Sequence, residues 1–245
     1  MKAQSSSVCF LGLLFCFTNL VSADPVDPQS PIKISAYKSP VRLACVGDSI
    51  TQGSGAAKGK SYPAQLQELL GGGWQVGNFG VSGRTLMRSG DFPYWNEAKF
   101  KQAQEFKPDV VVIMLGTNDT KPGNWSHKDE FEKDYRDLVK TFQNLQSKPR
   151  VFVCRAVPVP EPGNYGINEA AIQEQIPMVE KLAKDLGAGV IDMHAALMGK
   201  ENLLPDHVHP NTEGAGEMAK AAYKVLTGMD PAKIIFPSNP PADKR

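Results

Sequence analysis

The chain has 245 residues, 41% of them apolar, and 27 Lys and Arg stand against 26 Asp and Glu for a net charge of +1. That length suits one domain or at most two small ones, and the apolar share is enough for a substantial core. The balanced charge excludes a polyanionic partner: neither nucleic acid nor an anionic membrane surface is expected, and a neutral or weakly charged substrate is.

Lys2 precedes a largely apolar stretch over 8–21, interrupted by Gly12, Thr18 and Asn19. Val21-Ser22-Ala23 then puts small or β-branched residues at the −3 and −1 positions of a cleavage site. This pattern predicts a secretory signal peptide over 1–23, too short and too poorly flanked for a transmembrane helix. The expected location is therefore secreted or periplasmic, with no stable membrane insertion after cleavage. Cys9 and Cys16 leave with the signal. Cys45 and Cys154 remain in apolar runs, as one disulfide or as two buried thiols.

The lead-in over 24–37, with Pro25, Pro28 and Pro31, reads as an extended or edge segment. Strand and helix signals then alternate. Residues 41–46 form a short apolar run ended by Gly47-Asp48. A helix is expected over 62–70, with Leu66, Leu69 and Leu70 on one side and Gly71-Gly72-Gly73 as its stop. A strand over 74–79 and a helix over 92–106, halted before Pro108, come next. The β-branched run over 109–115 suits a parallel strand covered on both faces. Residues 129–145 repeat apolar side chains at helical spacing, and 151–157 is another buried strand. The helix over 168–186 contains Pro177, which predicts a kink or break. A short strand over 189–193 and a helix over 212–226 complete the pattern. Such alternation implies right-handed βαβ units: an α/β fold, a three-layer α/β/α sandwich with a five-stranded parallel sheet, over 38–228. A C-terminal tail occupies 229–245.

Four segments carry chemistry, three of them just after expected strands: Gly47-Asp48-Ser49-Ile50-Thr51, Asn78-Phe79-Gly80-Val81-Ser82-Gly83-Arg84-Thr85 and Gly116-Thr117-Asn118-Asp119. The fourth, Asp206-His207-Val208-His209-Pro210, leads into the last helix. In open parallel sheets functional residues gather at the carboxyl ends of strands, so all four can meet on one edge. The chemistry they support is acyl transfer. A serine hydroxyl needs a base to take its proton, imidazole suits that work near neutral pH, and a carboxylate holds the imidazole. Asp206, three residues before His209, is spaced for that role. Backbone N–H groups and an Asn amide are suitable donors to an oxyanion.

The same residues allow plainer roles. Ser49 could cap a helix, and Gly83 could simply permit a turn. Asp206, His207 and His209 could ligate a metal, although no further ligand cluster accompanies them, and no metal or cofactor is expected. His194 reads as packed or capping, and His127 as solvent-facing. Gly59-Lys60-Ser61 lacks the glycine that a phosphate loop needs, since Ser54 stands there. Asn118-Asp119-Thr120 and Asn124-Trp125-Ser126 are formal glycosylation sequons, and a glycan on Asn118 would block the candidate site. The serine is not in Gly-x-Ser-x-Gly, because position 51 is Thr, which disfavours a conventional α/β-hydrolase.

In their order and spread, the four segments resemble the blocks of the SGNH (GDSL-type) hydrolase superfamily. The resemblance implies a flavodoxin-like fold and a catalytic triad of Ser49, Asp206 and His209, with an oxyanion hole from Ser49, Gly83 and Asn118. A narrower similarity, in Leu115 through Trp125, Asn164-Tyr165-Gly166-Ile167-Asn168 and Ile191-Asp192-Met193-His194, is to secreted carbohydrate esterases described as sialate O-acetylesterase-like. It implies an acetylated sugar or polysaccharide as substrate, with Trp125, Arg155 and Tyr165 as candidate rim contacts. For Trp125 and Tyr165 the plainer reading is packing, and for Arg155 a surface ion pair. Two other functions stay open: a lipid or thioester hydrolase (lysophospholipase-like) of the same fold, which would want a long apolar groove, and a non-catalytic carbohydrate-binding protein.

Overall fold

A computed structural model describes residues 27–233; the expected signal peptide and most of the expected C-terminal tail lie outside the described residues. Five parallel strands form one sheet in the order β2-β1-β3-β4-β5: β1 (Val41–Gly47), β2 (Trp74–Gly80), β3 (Val110–Met114), β4 (Arg150–Arg155) and β5 (Gly189–Asp192). All five residues of β3 are buried, as its unbroken apolar run requires of a central strand covered on both faces.

Alternate strand residues enter two different cores, because successive side chains of a strand point to opposite faces. Leu43, Cys45, Val110, Val112 and Met114 pack beneath α2 (Tyr62–Leu70), α7 (Met193–Leu197) and α8 (Thr212–Thr227). Ala44, Val46, Val111, Ile113 and Val153 pack beneath α3 (Ala98–Glu105), α5 (Phe131–Gln143) and α6 (Glu169–Leu186). Two one-turn helices, α1 (Ser49–Gln52) and α4 (Pro122–Trp125), sit at the carboxyl edge of the sheet. The result is the expected three-layer sandwich. Cys45 and Cys154 are both buried and unpaired.

Two local expectations need correction. The helix expected over 92–106 is confined to α3, because the chain ahead of it serves the neighbouring loop. Thr85 donates its N–H to the Phe92 carbonyl and accepts the N–H of Tyr94, so 92–94 runs alongside the segment that carries Gly83. Pro177 neither ends nor splits α6, which is continuous from Asn168, whose side chain accepts the Ala171 N–H, to a left-handed Gly187.

The described part of the lead-in is not extended, carrying a turn at 28–29 and a 3-10 helix over Ile34–Ala36, and it packs on the body of the domain. Ile32 is buried and donates its N–H to Leu226, and the Arg150 guanidinium binds the carbonyls of Pro28 and Ser30 at 2.9 and 2.7 Å. The Gln29 amide pairs with both backbone groups of Val190 on β5, covering a sheet edge that would otherwise invite another strand.

Candidate active site

Strand register brings three loops to one level. Gly47, the last residue of β1, pairs with Gly80 on one side and Met114 on the other, where β2 and β3 end. Ser49, Gly83 and Asn118 follow those ends by two, three and four residues. With this strand order the β1/β3 crevice is the topological switch point, where ligands bind in open α/β sheets.

At the first loop, Asp48 and not Ser49 is the helix cap: its side chain accepts the Ile50 N–H at 2.9 Å. Ser49 is then the first helical residue, with a free hydroxyl and a backbone N–H that has no acceptor within the helix. Its Oγ lies 2.9 Å from His209 Nε2, and His209 Nδ1 lies 2.7 Å from Asp206 Oδ2. Both contacts are hydrogen bonds when the proton sits on Nδ1, which leaves Nε2 as acceptor for the serine O–H. Asp206 also accepts the backbone N–H groups of Val208 and His209 on Oδ1, at 3.1 and 2.7 Å. Burial works to raise the Asp206 carboxyl, but these bonds from His209 and Val208 and the charge of His209 together hold it below the usual carboxylate range.

A pocket of about 330 Å³ opens over this chain, lined by Ser49, Ser82, Gly83, Asn118, Lys121, Tyr165, Ile167 and His209. Gly83 has φ +78°, a conformation a side chain would strain. Asn118 is 6% exposed, and its amide donates to the Arg84 carbonyl at 3.2 Å, tying the third loop to the second. A larger hollow of about 450 Å³ lies among Arg42, Gln104 and Gln146, at the opposite end of the sheet where Arg42 lies near the start of β1, and holds no comparable serine–histidine pair.

Residues around the site hold its loops in place, Asp48, Asp119 and Asn124 from within the motif segments and Gln175 from outside them. Asp119 is fully buried and accepts the N–H groups of Leu86 and Met87 at 2.9 and 2.7 Å, gripping the loop just past Gly83. Burial pushes its carboxyl up to about 7 and that of Asp48 up to about 6. Gln175 of α6 donates to the Gly116 carbonyl at 2.7 Å, and Asn124 donates to the Asn118 carbonyl at 2.9 Å. No short-range signal marks these contacts, since their partners lie six to 59 residues away.

The expected rim residues separate. Tyr165 lines the pocket. Trp125 packs edge-to-face on Phe131 and donates its indole N–H to Glu174, so it lines an adjoining cleft of about 360 Å³. Arg155 is not at the pocket; it pairs with Glu180 and with Asp192 at 2.5 Å, the ion-pair role its type also allowed. Both sequon asparagines are buried and hydrogen-bonded, so the folded protein offers neither to a glycan. His207 Nδ1 turns to the Pro160 carbonyl at 3.0 Å, away from Asp206 and His209, and among the described residues no three metal-ligating side chains cluster. His194 is buried against Glu169 and Gln173, and His127 is exposed.

A three-layer fold with a hydrogen-bonded serine, histidine and aspartate at its switch point defines the SGNH class of architecture. Residues 45–216 match the GDSL-like Lipase/Acylhydrolase family, and the chain belongs to that family. It is similar to an acetylxylan esterase of Xylanibacter ruminicola, with 40% identity over 201 residues that cover 74% of this chain and 42% of that protein. A multidomain esterase of Ruminococcus flavefaciens is 26% identical over 65% of this chain and 19% of its own length. The chain thus spans less than half the length of these curated relatives. In fold it resembles a carbohydrate acetylesterase family member from Sinorhizobium meliloti, with TM-score 0.63 and 21% identity over 77% of this chain and 100% of that one. It also resembles an acetylxylan esterase from Geobacillus stearothermophilus, with TM-score 0.60 and 24% identity over 78% and 95%.

Proposed function

We propose that the protein is a serine esterase that removes short acyl groups, acetyl above all, from carbohydrates. The observation that carries this reading is the Ser49–His209–Asp206 hydrogen-bond chain opening into a pocket shared with Gly83 and Asn118. In this mechanism His209 Nε2 takes the proton of Ser49 as Oγ bonds to the ester carbonyl carbon. Asp206 keeps the Nδ1–H tautomer and stabilises the imidazolium. The oxyanion of the tetrahedral intermediate accepts from the N–H groups of Ser49 and Gly83 and the Asn118 amide. Its collapse breaks the bond to the sugar oxygen, which leaves with the proton from His209. Water, deprotonated by His209, then attacks the acyl-serine, frees the carboxylic acid and restores the serine.

The preference for a small acyl group on a polar alcohol is supported by the pocket, which is modest in volume and bordered by Ser82, Asn118 and Lys121. Similarity to the Xylanibacter acetylxylan esterase supports acetylated polysaccharide as the substrate class. Export through cleavage after residue 23 belongs to the same reading; among the described residues no helix is long and apolar enough to cross a membrane. Turnover of p-nitrophenyl acetate and acetate release from acetylated xylan, pectin and chitooligosaccharides test the proposal. Wild type is expected to act on p-nitrophenyl acetate and on at least one polymer, and Ser49→Ala on none. Equal turnover by Ser49→Ala would remove the nucleophile from the scheme. Long-chain acyl esters as the best substrates would overturn the carbohydrate assignment.

A further inference from the structure

Tyr165 occupies a conformation its side chain does not favour. Its φ is +55°, uncommon for any residue with a Cβ and costly for an aromatic one. The surrounding turn enforces it. Asn164 and Ile167 bridge across the turn, and the Asn164 side chain accepts the Tyr165 N–H at 2.8 Å. The ring is 58% exposed, so burial does not explain its placement. It is nevertheless aimed: its Oη lies 3.3 Å from Asp206 Oδ2, and its ring centroid lies 5.7 Å from that of His209, edge-on.

The loop bearing Tyr165 is fastened to the loop bearing the acid and base at two further points. The Asn164 amide donates to the Asp206 carbonyl at 3.0 Å, and His207 Nδ1 meets the Pro160 carbonyl at 3.0 Å. The far end of the turn is anchored where Glu169 accepts the Val159 N–H and bonds His194. The β4–α6 loop therefore clasps the 206–209 segment, with Tyr165 touching the carboxylate itself.

We propose that Tyr165 is a positioning residue for the Asp206–His209 pair: its phenol donates to the carboxylate oxygen that His209 Nδ1 already binds, fixing that carboxylate and restraining its pull on the imidazole proton. This rests on Ser49, His209 and Asp206 being the reacting set. Asp206 Oδ2 shares itself between two donors, so each bond is weaker than it would be alone. Without the phenol, the carboxylate is more basic and stabilises the imidazolium more. The charged and titratable groups around His209 are Asp206 and His207 on its own loop, Asp48 at the end of β1, Lys121 across the pocket and Tyr165 itself. Tyr165→Phe alters the last of these alone.

The test compares wild type, Tyr165→Phe and Tyr165→Ala for kcat/KM on p-nitrophenyl acetate against pH, with the downfield imidazole proton resonance of His209 read by NMR on the folded proteins. Tyr165→Phe is expected to move the acidic limb up by about half a pH unit and the Nδ1 proton further downfield. Tyr165→Ala is expected to show the same displacement, with a larger KM because the pocket wall is also lost. A Tyr165→Phe profile and resonance that superimpose on wild type overturn the proposal. Ser49→Ala separates the two levels: if it is inactive while Tyr165→Phe matches wild type, this inference alone fails. If Ser49→Ala stays active, the underlying scheme fails.

Discussion

At the scale of single residues, the site depends on which neighbour takes which hydrogen bond. Asp48 caps α1, so Ser49 keeps its hydroxyl for His209. Asp206 spends Oδ1 on two backbone N–H groups and Oδ2 on the ring, which sets the imidazole orientation without a long side chain. Replacing Asp206 by Asn offers the ring the wrong partner, and kcat on p-nitrophenyl acetate should fall by about 10⁴ with little change in fold. Asn118→Ala removes one donor to the oxyanion, and kcat should drop ~10²–10³ while KM stays near wild type. A KM effect alone would show that Asn118 binds the ground state and not the intermediate. Ser49, Asp206 and His209 are legible as a candidate set because each lies in a short motif, and Gly83 and Asn118 become candidates through the family resemblance. Asp48 and Asp119 lay inside the same motifs, yet their roles depend on what surrounds them once buried.

At the scale of elements, the site is as good as the grip between loops. Asp119 holds the segment after Gly83 through two consecutive amides, and Asn118 holds it again through the Arg84 carbonyl. In Asp119→Ala both amides lose their acceptor in a dry environment, at about 1–3 kcal/mol for each orphaned group. Denaturant unfolding should register that loss, and kcat should fall with it as Gly83 drifts from register; unchanged values of both would dismiss the grip. The β1 and β2 ends also meet closely. A Cβ on Gly80 would sit 2.3 Å from the Gln52 nitrogen and 2.8 Å from the Asp48 carbonyl oxygen, both backbone atoms that cannot swing aside. Gly80→Ala is expected to cost about 1–3 kcal/mol in a thermal or denaturant melt and to displace the turn that carries Ser49. Wild-type stability together with wild-type activity would contradict this. The segment ahead of α3 shows the limit of local reading: a helix is expected from residue 92, but α3 begins only at Ala98. Pairing with Thr85 and the bond from Tyr94 Oη to the Phe79 carbonyl claim the first turns instead.

At the scale of the whole molecule, the carboxylates divide into two groups with opposite effects on stability. Burial raises Asp48 from 3.8 to about 6 and Asp119 from 3.8 to about 7. The folded state therefore holds more protons than the unfolded chain between about pH 4 and 7, and stability falls as pH rises through that window. Asp206 and Glu169 are depressed: burial opposes the shift, but hydrogen bonds to His209 and to His194 outweigh it. Their contribution is complete above their unfolded values of 3.8 and 4.5 and is lost as pH falls through the lower folded values. The melting temperature should therefore peak at mildly acidic pH and decline on both sides. A maximum at pH 8 would show that Asp48 and Asp119 ionise in the fold without penalty.

The sequence by itself determined the strands, the layered class and the candidate site residues in four short segments, three of them just past strands. The strands, the layers and the Asp206–His209 pair follow from spacing along a covalent chain: a β-branched run, a period of helical repeats, an aspartate three residues before a histidine. Gly83 and Asn118 stand out through the family resemblance. Only the tertiary structure decided the partners. It put Arg155 into an ion pair, turned Trp125 to the next cleft, buried both sequon asparagines, left Cys45 and Cys154 unpaired and set Tyr165 over Asp206. Those outcomes depend on strand order and on the paths of loops, which bring together residues tens of positions apart, and short-range periodicity holds no record of that distance.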